Sequence, residues 1–260
     1  MWNPAQYQRF ADQRARPFFE LTSRIGASEP RYVVDLGCGP GQLTAALADR
    51  WPGAVVHGVD SSPEMIEEAQ SVQAQRDGGT GSIEFRLCDV RDFRPEDPPD
   101  VIVSNAVLHW VPGHHELLKR WAADLAPGGW LAFQIPANFG QPAHRILGEV
   151  AASPRWSAVL DDSILRRSWD EPSGYLELLT GTGCEVDAWE TTYLHVLQGA
   201  DPVLEWFKGT AARPVLAALR PEEAAEFTAE LGDRLRTAYP ARPYGTVFPF
   251  RRAFVVAHRA

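Results

Sequence analysis

Asp35-Leu36-Gly37-Cys38-Gly39-Pro40-Gly41 follows directly on the short apolar run Tyr32-Val33-Val34. Glycines at 37, 39 and 41 remove side chains where a strand must turn sharply into a helix and where a ligand meets bare backbone. The helix is expected to begin near Gln42, with Leu43, Ala46 and Leu47 facing a sheet. Strand, glycine loop and helix also mark nicotinamide and flavin sites, but the spacing excludes them. Their Gly-x-Gly-x-x-Gly pattern needs a glycine at 42 or 40, where this chain has Gln42 and Pro40.

The flanking sequence continues in the same vein. Val55-Val56-His57-Gly58-Val59 reads as a second strand ending in Asp60, a carboxylate placed to accept two ribose hydroxyls. Ser61 and Glu64 have capping-box spacing, Pro63 suits a first helical turn, and Met65, Ile66, Ala69 and Val72 make one apolar face, with Gly78-Gly79 as the stop. Ile83-Glu84-Phe85-Arg86-Leu87 alternates as a third strand leading to Asp89-Val90, and Val101-Ile102-Val103-Ser104 is a fourth, ending in Asn105.

Asp-x-Gly-x-Gly-x-Gly, with acids after the next two strands, resembles motif I of the class I S-adenosylmethionine-dependent methyltransferases. The resemblance implies an α/β, Rossmann-like sheet of seven strands, the last antiparallel, flanked by helices. It also implies S-adenosylmethionine as cofactor, held by Asp35, Gly37, Gly39, Gly41, Asp60, Ser61, Asp89, Val90 and Asn105. In that family Asp35 would support the loop and the methionine end, and Asp89 would accept from the adenine amino group. The Asn/Asp-Pro-Pro-aromatic motif of enzymes that methylate DNA bases is absent, since Asn105 is followed by Ala106-Val107-Leu108-His109-Trp110.

Charge agrees that the partner is not nucleic acid. A formal net charge of -9 gives no field for a polyanionic strand, and no lysine-arginine run is present. With 45% hydrophobic and 23% charged residues the chain is globular rather than disordered. No basic region followed by an apolar stretch stands near the start, and no run approaches the roughly 18 apolar residues of a membrane span, so a cytoplasmic protein without a membrane partner is expected. Cys38, Cys88 and Cys184 contain no C-x-x-C pair and read as reduced thiols. His114 and His115 more readily begin a helix than bind metal, because no third ligand is suitably spaced.

Further along, a helix is expected over roughly His115 to Leu125, a fifth strand over Trp130 to Ile135, a sixth over Cys184 to Leu197 and the last over Val247 to His258. Residues 199–245 interrupt what is normally a near-contiguous final hairpin, with helical runs at Pro202 to Lys208 and Pro221 to Tyr239. The expected organisation is a single methyltransferase domain. Its cofactor-binding core is 30–198 with 246–260, residues 199–245 form a helical cap over the substrate pocket, and 1–29 form an N-terminal helical lid. In the lid, Asn3-Pro4 starts one helix, with Tyr7, Phe10 and Ala11 on one face, and Pro17 starts another, with Phe18, Leu21 and Ile25 apolar. Tyr7 and Phe10 serve either as core or as rings bordering a sulfonium.

The N-terminal block Trp2-Asn3-Pro4-x-x-Tyr7-x-x-Phe10-Ala11-x-x-Arg14-x-Arg16-Pro17 narrows the resemblance. With it stand Asp60-Ser61-Ser62-Pro63-x-Met65-Ile66, Gln134-x-Pro136-x-Asn138 and Gly183-Cys184-Glu185-Val186-Asp187-x-Trp189-x-Thr191-Thr192-Tyr193-x-His195. Together they resemble the trans-aconitate methyltransferase family over nearly the whole length. His109 stands where some members have glutamine, and Ala137 where an aspartate is often found. The family's reaction esterifies one carboxylate of a tricarboxylate, trans-aconitate, and needs no general base, because a carboxylate with a pKa of about 4 is already ionised. A tricarboxylate also asks for forked cations. Arg16, Arg213 and Arg252 are the candidates, with Arg14 serving either the substrate or the carboxylate of the cofactor. His109, Trp110, Tyr193 and His195 would complete the pocket, and His195 is equally readable as a buried structural histidine. Methylation of a phenol or enol carbon would instead need a base, for which His109 is the one obvious candidate; a non-catalytic sensor of the adenosyl cofactor is the third reading.

Overall fold

Near-continuous apolar runs that can be buried on both faces, as parallel sheets require, build the centre of the molecule. The computed structural model describes residues 11–76, 81–161, 163–165 and 169–260, without the side chains of 11–14. The expectations for Asn3-Pro4, Tyr7, Phe10, the Arg14 side chain and Gly78-Gly79 lie outside the described residues.

In chain order the elements are α1 (Ala11–Ser23), β1 (Tyr32–Leu36), α2 (Gln42–Arg50), β2 (Val55–Asp60), α3 (Pro63–Ala74), β3 (Ser82–Leu87) and β4 (Val101–Asn105). A 3-10 turn (Leu108–Trp110), α4 (His114–Asp124), β5 (Trp130–Pro136), α5 (Pro142–Ala151), α6 (Pro172–Thr180) and β6 (Cys184–Leu197) follow. The chain ends with α7 (Pro202–Lys208), α8 (Arg213–Ala218), α9 (Pro221–Ala238) and β7 (Thr246–Arg259). The sheet has seven strands in the order β3-β2-β1-β4-β5-β7-β6. The first five pair in parallel. β7 runs against β5: Gly129 accepts from Arg259, and eight residues on, Ala137 donates to Arg251. Leu36 lies opposite Val59, Asp35 opposite Val103 and Asn105 opposite Gln134, so the carboxyl ends of β1, β2, β4 and β5 form one edge.

The chain divides into two compact units. A sheet unit holds Arg14–Ile135, Ser168–Thr191 and Ala253–Ala260, and a helical unit holds chiefly Pro136–Arg167 and Thr192–Arg252. The helical unit has a core of its own, in which Trp206 and Phe207 of α7, Phe227 of α9, Phe248 of β7 and Trp156 of the loop after α5 are buried. Trp156 and Phe227 meet edge to face at 5.3 Å, and the Trp156 indole donates to Glu230 at 2.9 Å. No helix among the described residues is long and apolar enough to cross a membrane.

Four local expectations are corrected. Pro17 does not start a helix but lies inside α1. An interior proline costs about 3 kcal/mol, and the complete burial of Phe18 and Leu21 on that helix offsets it. The cap of α3 is Ser62, whose hydroxyl accepts from the Met65 N–H, rather than Ser61. A residue before proline is pushed to extended backbone, and Ser62, at ψ 119°, therefore stands outside the helix. The buried face of α2 is Thr44, Ala45, Leu47 and Ala48: Leu47 is buried as expected, whereas Leu43 and Ala46 are only half-buried. Finally, α5, α6 and α8 fill segments for which no element was foreseen.

Candidate functional site

All three loop glycines have left-handed backbone, with φ of +81° at Gly37, +54° at Gly39 and +84° at Gly41. Their surroundings differ. A β-carbon on Gly37 would stand 2.1 Å from Val107, and one on Gly41 2.7 Å from Phe85, whereas one on Gly39 would meet nothing within 4 Å. The loop is thus closed against the protein at its ends and open at its middle, a cradle that a side chain at 39 would fill. The Asp60 carboxylate holds it from the side, with Oδ2 accepting from the Gly39 N–H at 3.0 Å and Oδ1 from the Ser62 N–H at 2.9 Å. From below, the fully buried Asp35 accepts from the Thr44 hydroxyl at 2.6 Å. Burial pushes the Asp35 carboxyl up to about 7; the Thr44 bond opposes the shift and the Asp60 charge adds to it.

Around the same edge, Val90 is buried and Asp89 is half-buried. Both Asp89 oxygens are already engaged: Arg91 donates from Nε at 2.9 Å and from its terminal nitrogen at 2.7 Å, holding the carboxyl below the ordinary range. Ser61 is exposed at the mouth of β2. The buried Gln134 grips the end of β4, donating from Nε2 to the Asn105 side chain and accepting from the Ala106 N–H at 2.9 Å. Ala106 is left-handed at φ +59°, a rare state for a residue with a β-carbon. It turns the chain into the 3-10 segment, where His109 is buried with its ring 4.9 Å from that of Trp110, itself exposed.

Behind that segment the buried His114 is fixed in one tautomer. The Val111 carbonyl at 3.2 Å can only accept, so Nδ1 carries the proton. Nε2 accepts from the Tyr175 hydroxyl at 2.8 Å, and the Tyr175 oxygen accepts from the Asp170 N–H at 3.0 Å. Burial, with His115 adjoining, lowers His114 to about 4. His114 does begin α4, and among the described residues no group of three His, Cys, Asp or Glu could hold a metal ion.

The helical unit gathers a second set. Tyr193 and His195, two apart on β6, face the same way, with rings 5.9 Å apart and within 7° of parallel. His195 also stacks on Trp206 at 5.3 Å and tilts against Phe250 at 6.1 Å. The guanidinium of Arg252, 4% exposed, lies 4.7 Å over the Phe250 ring. Tyr193, His195 and Arg252 therefore share one aromatic shell. Arg213 is half-buried at the start of α8, and Arg16 is exposed on α1 in the sheet unit.

Comparison with known proteins decides the family. A methyltransferase domain model matches residues 7–188. A trans-aconitate 2-methyltransferase of Mycolicibacterium gilvum is 54% identical over 99% of this chain and 98% of its own, and one of Streptomyces avermitilis is 51% identical over 99% and 97%. The chain belongs to the trans-aconitate 2-methyltransferase family. The YcgJ protein of Bacillus subtilis, a solved structure, shares the fold with a TM-score of 0.60 over 94% of this chain and 98% of that one, at 14% identity.

Members of this family are S-adenosylmethionine-dependent methyltransferases, and the sheet unit fits that cofactor. The backbone at Gly39 is open to a ligand, and Asp60 and Asn105 stand at the ends of the two strands that flank β1. Not legible in the sequence were the side chains that fix Asp35, His114 and Asp89. Thr44, Tyr175 and Arg91 act through contacts 9, 61 and 2 residues distant, the first two without any local pattern. Gln134 was visible only as a member of a family block.

Proposed function

We propose that this chain transfers the methyl group of S-adenosylmethionine to a carboxylate of trans-aconitate, giving a monomethyl ester and S-adenosylhomocysteine. The observation that carries the reading is the buried guanidinium of Arg252 in the aromatic shell of Tyr193, His195, Trp206 and Phe250. A planar fork of donors in a low-dielectric shell matches a carboxylate bidentately, and aromatic walls exclude the water that would solvate it.

The bound cofactor supplies an electrophilic methyl carbon on a sulfonium. The chain's own part is positional. Gly37, Gly39 and Gly41 with Asp60, Ser61, Asp89, Val90 and Asn105 hold the adenosyl portion, and Asp35, Tyr7 and Arg14 serve the methionine end. Arg16, Arg213 and Arg252 take substrate carboxylates, and His109, Trp110, Tyr193 and His195 shape the pocket. No residue needs to remove a proton, because the nucleophile is ionised at neutral pH. Alignment of oxygen, carbon and sulfur is the main source of rate, worth about 7 to 11 kcal/mol in favourable cases. Residues 1–29 and 199–245 act as lids, and the setting is the cytoplasm.

The test is direct. The purified protein is incubated with S-adenosylmethionine and trans-aconitate, cis-aconitate, citrate or a simple phenol, and products heavier by one methylene are sought by mass spectrometry. An ester formed mainly from trans-aconitate, with Arg252→Gln or Arg213→Ala crippling turnover while S-adenosylhomocysteine affinity stays near wild type, supports the assignment. A methylated phenol lost in His109→Ala replaces it with base-assisted chemistry.

A further inference from the structure

Asn138 stands just past the carboxyl end of β5, the sheet edge at which open α/β folds bind their ligands. Its residue is 1% exposed, yet its side-chain Oδ1 accepts no hydrogen bond among the described residues. Buried amides of that kind are nearly always satisfied, by protein, water or ligand. The backbone around it is firmly set. The preceding residue, Ala137, donates to the Arg251 carbonyl at 2.9 Å, and the Asn138 carbonyl accepts from the Gln141 N–H at 3.0 Å, at the start of α5. The Ala137–Arg251 pair places Asn138 one residue on towards Phe250, the ring that carries the Arg252 guanidinium. All of these residues belong to the helical unit.

We propose that Asn138 contacts the substrate, its amide donating a hydrogen bond to a carboxylate of the acid bound by Arg252. The inference rests on the carboxylate reading above and adds a residue to it. An amide can present either its NH2 group or its oxygen to one position, and a carboxylate oxygen takes the former. A neutral donor beside an arginine adds direction without adding charge. It also discriminates: an acid lacking the matching carboxylate leaves the buried amide unmet.

The experiment compares wild type, Asn138→Ala and Asn138→Asp for trans-aconitate methylation, S-adenosylhomocysteine affinity and thermal unfolding. The expected result has three parts. The KM of Asn138→Ala for trans-aconitate rises about tenfold or more. Asn138→Asp, which sets a like charge against the acid, loses more kcat/KM than the alanine variant. S-adenosylhomocysteine affinity of both variants and the unfolding temperature of Asn138→Ala stay near wild type, because no side-chain partner among the described residues is lost; Asn138→Asp, which buries an unpaired carboxylate, unfolds at a lower temperature on either reading. If Asn138→Asp turns over trans-aconitate like the wild type, or if both variants lose stability while their KM is unchanged, the amide has an internal role and the proposal is overturned. A wild-type protein that methylates no carboxylic acid overturns the carboxylate reading itself, and this inference with it.

Discussion

The Thr44 hydroxyl donates to the Asp35 carboxylate at 2.6 Å, so the residue that opens the glycine turn is held by the helix that follows it. Without that donor Asp35 would be a buried carboxylate with nothing to oppose its desolvation. Even with it, burial raises the carboxyl to about 7. Between pH 4 and 7 the folded chain therefore keeps a proton that the unfolded chain has lost. The Asp35 contribution is fully present at low pH and fades as pH rises through about 7. Asp35→Asn removes the dependence. In guanidinium titrations at pH 5 and 7.5 its stability relative to wild type should improve on the order of 2 to 3 kcal/mol with rising pH. A constant difference would show that Asp35 does not titrate in this range.

The Gly37 and Gly39 environments predict opposite failures. Gly39→Ala has open space and should fold with a loss of about 1 to 2 kcal/mol for its left-handed backbone, while S-adenosylhomocysteine binding collapses because the new methyl group fills the cradle. Gly37→Ala drives a β-carbon into Val107 and should give little folded protein. Circular dichroism and calorimetric titration of the two variants separate stability from binding.

His114 gives stability the reverse pH dependence. Its folded value is lowered to about 4, so the neutral, Tyr175-bonded form stabilises the fold above the ordinary histidine range, and this contribution is lost as pH falls from about 6.5 towards 4. His114→Asn should flatten the acid limb of the unfolding profile. Tyr175→Phe leaves the imidazole Nε2 and the Asp170 N–H without their hydroxyl and should cost about 1 to 3 kcal/mol for each buried group left unmet.

Asp60 joins the loop to the start of α3 through two backbone N–H groups. Asp60→Ala should weaken S-adenosylhomocysteine binding at least tenfold, by losing both the ribose acceptor and the set of the Gly39 peptide. Isothermal titration measures it, and an unchanged affinity would remove Asp60 from the proposed site.

Local signals carried the cofactor edge. The apolar runs of β1 and β4 and the spacing of glycines 37, 39 and 41 depend only on neighbours in sequence, and β6 was bounded to the residue, Cys184–Leu197. What escaped depends on distant partners or weak punctuation. Thr44 facing the sheet makes sense only once Asp35 lies beneath it. Residues Ala143, Ile146, Leu147 and Val150 of α5 have helical spacing, a pattern that Gly148 within it and Gly140 before it weaken. Ser61 and Ser62 compete for one cap, and Pro63 decides between them through sterics rather than hydrogen bonding. Asp89 was legible as an acid after β3, whereas its double bond to Arg91 was not.

The separate core of the helical unit has an evolutionary consequence. Trp156, Phe227 and Phe248 share the core of the helical unit, which therefore has its own reserve of stability. On the proposed assignment, a lineage can exchange one acid for another at Tyr193, Asn138 or Arg252, spend the tolerance of that core on the change, and inherit its grip on the methyl donor intact. Acceptor preference should therefore drift faster among descendants of this chain than donor preference does.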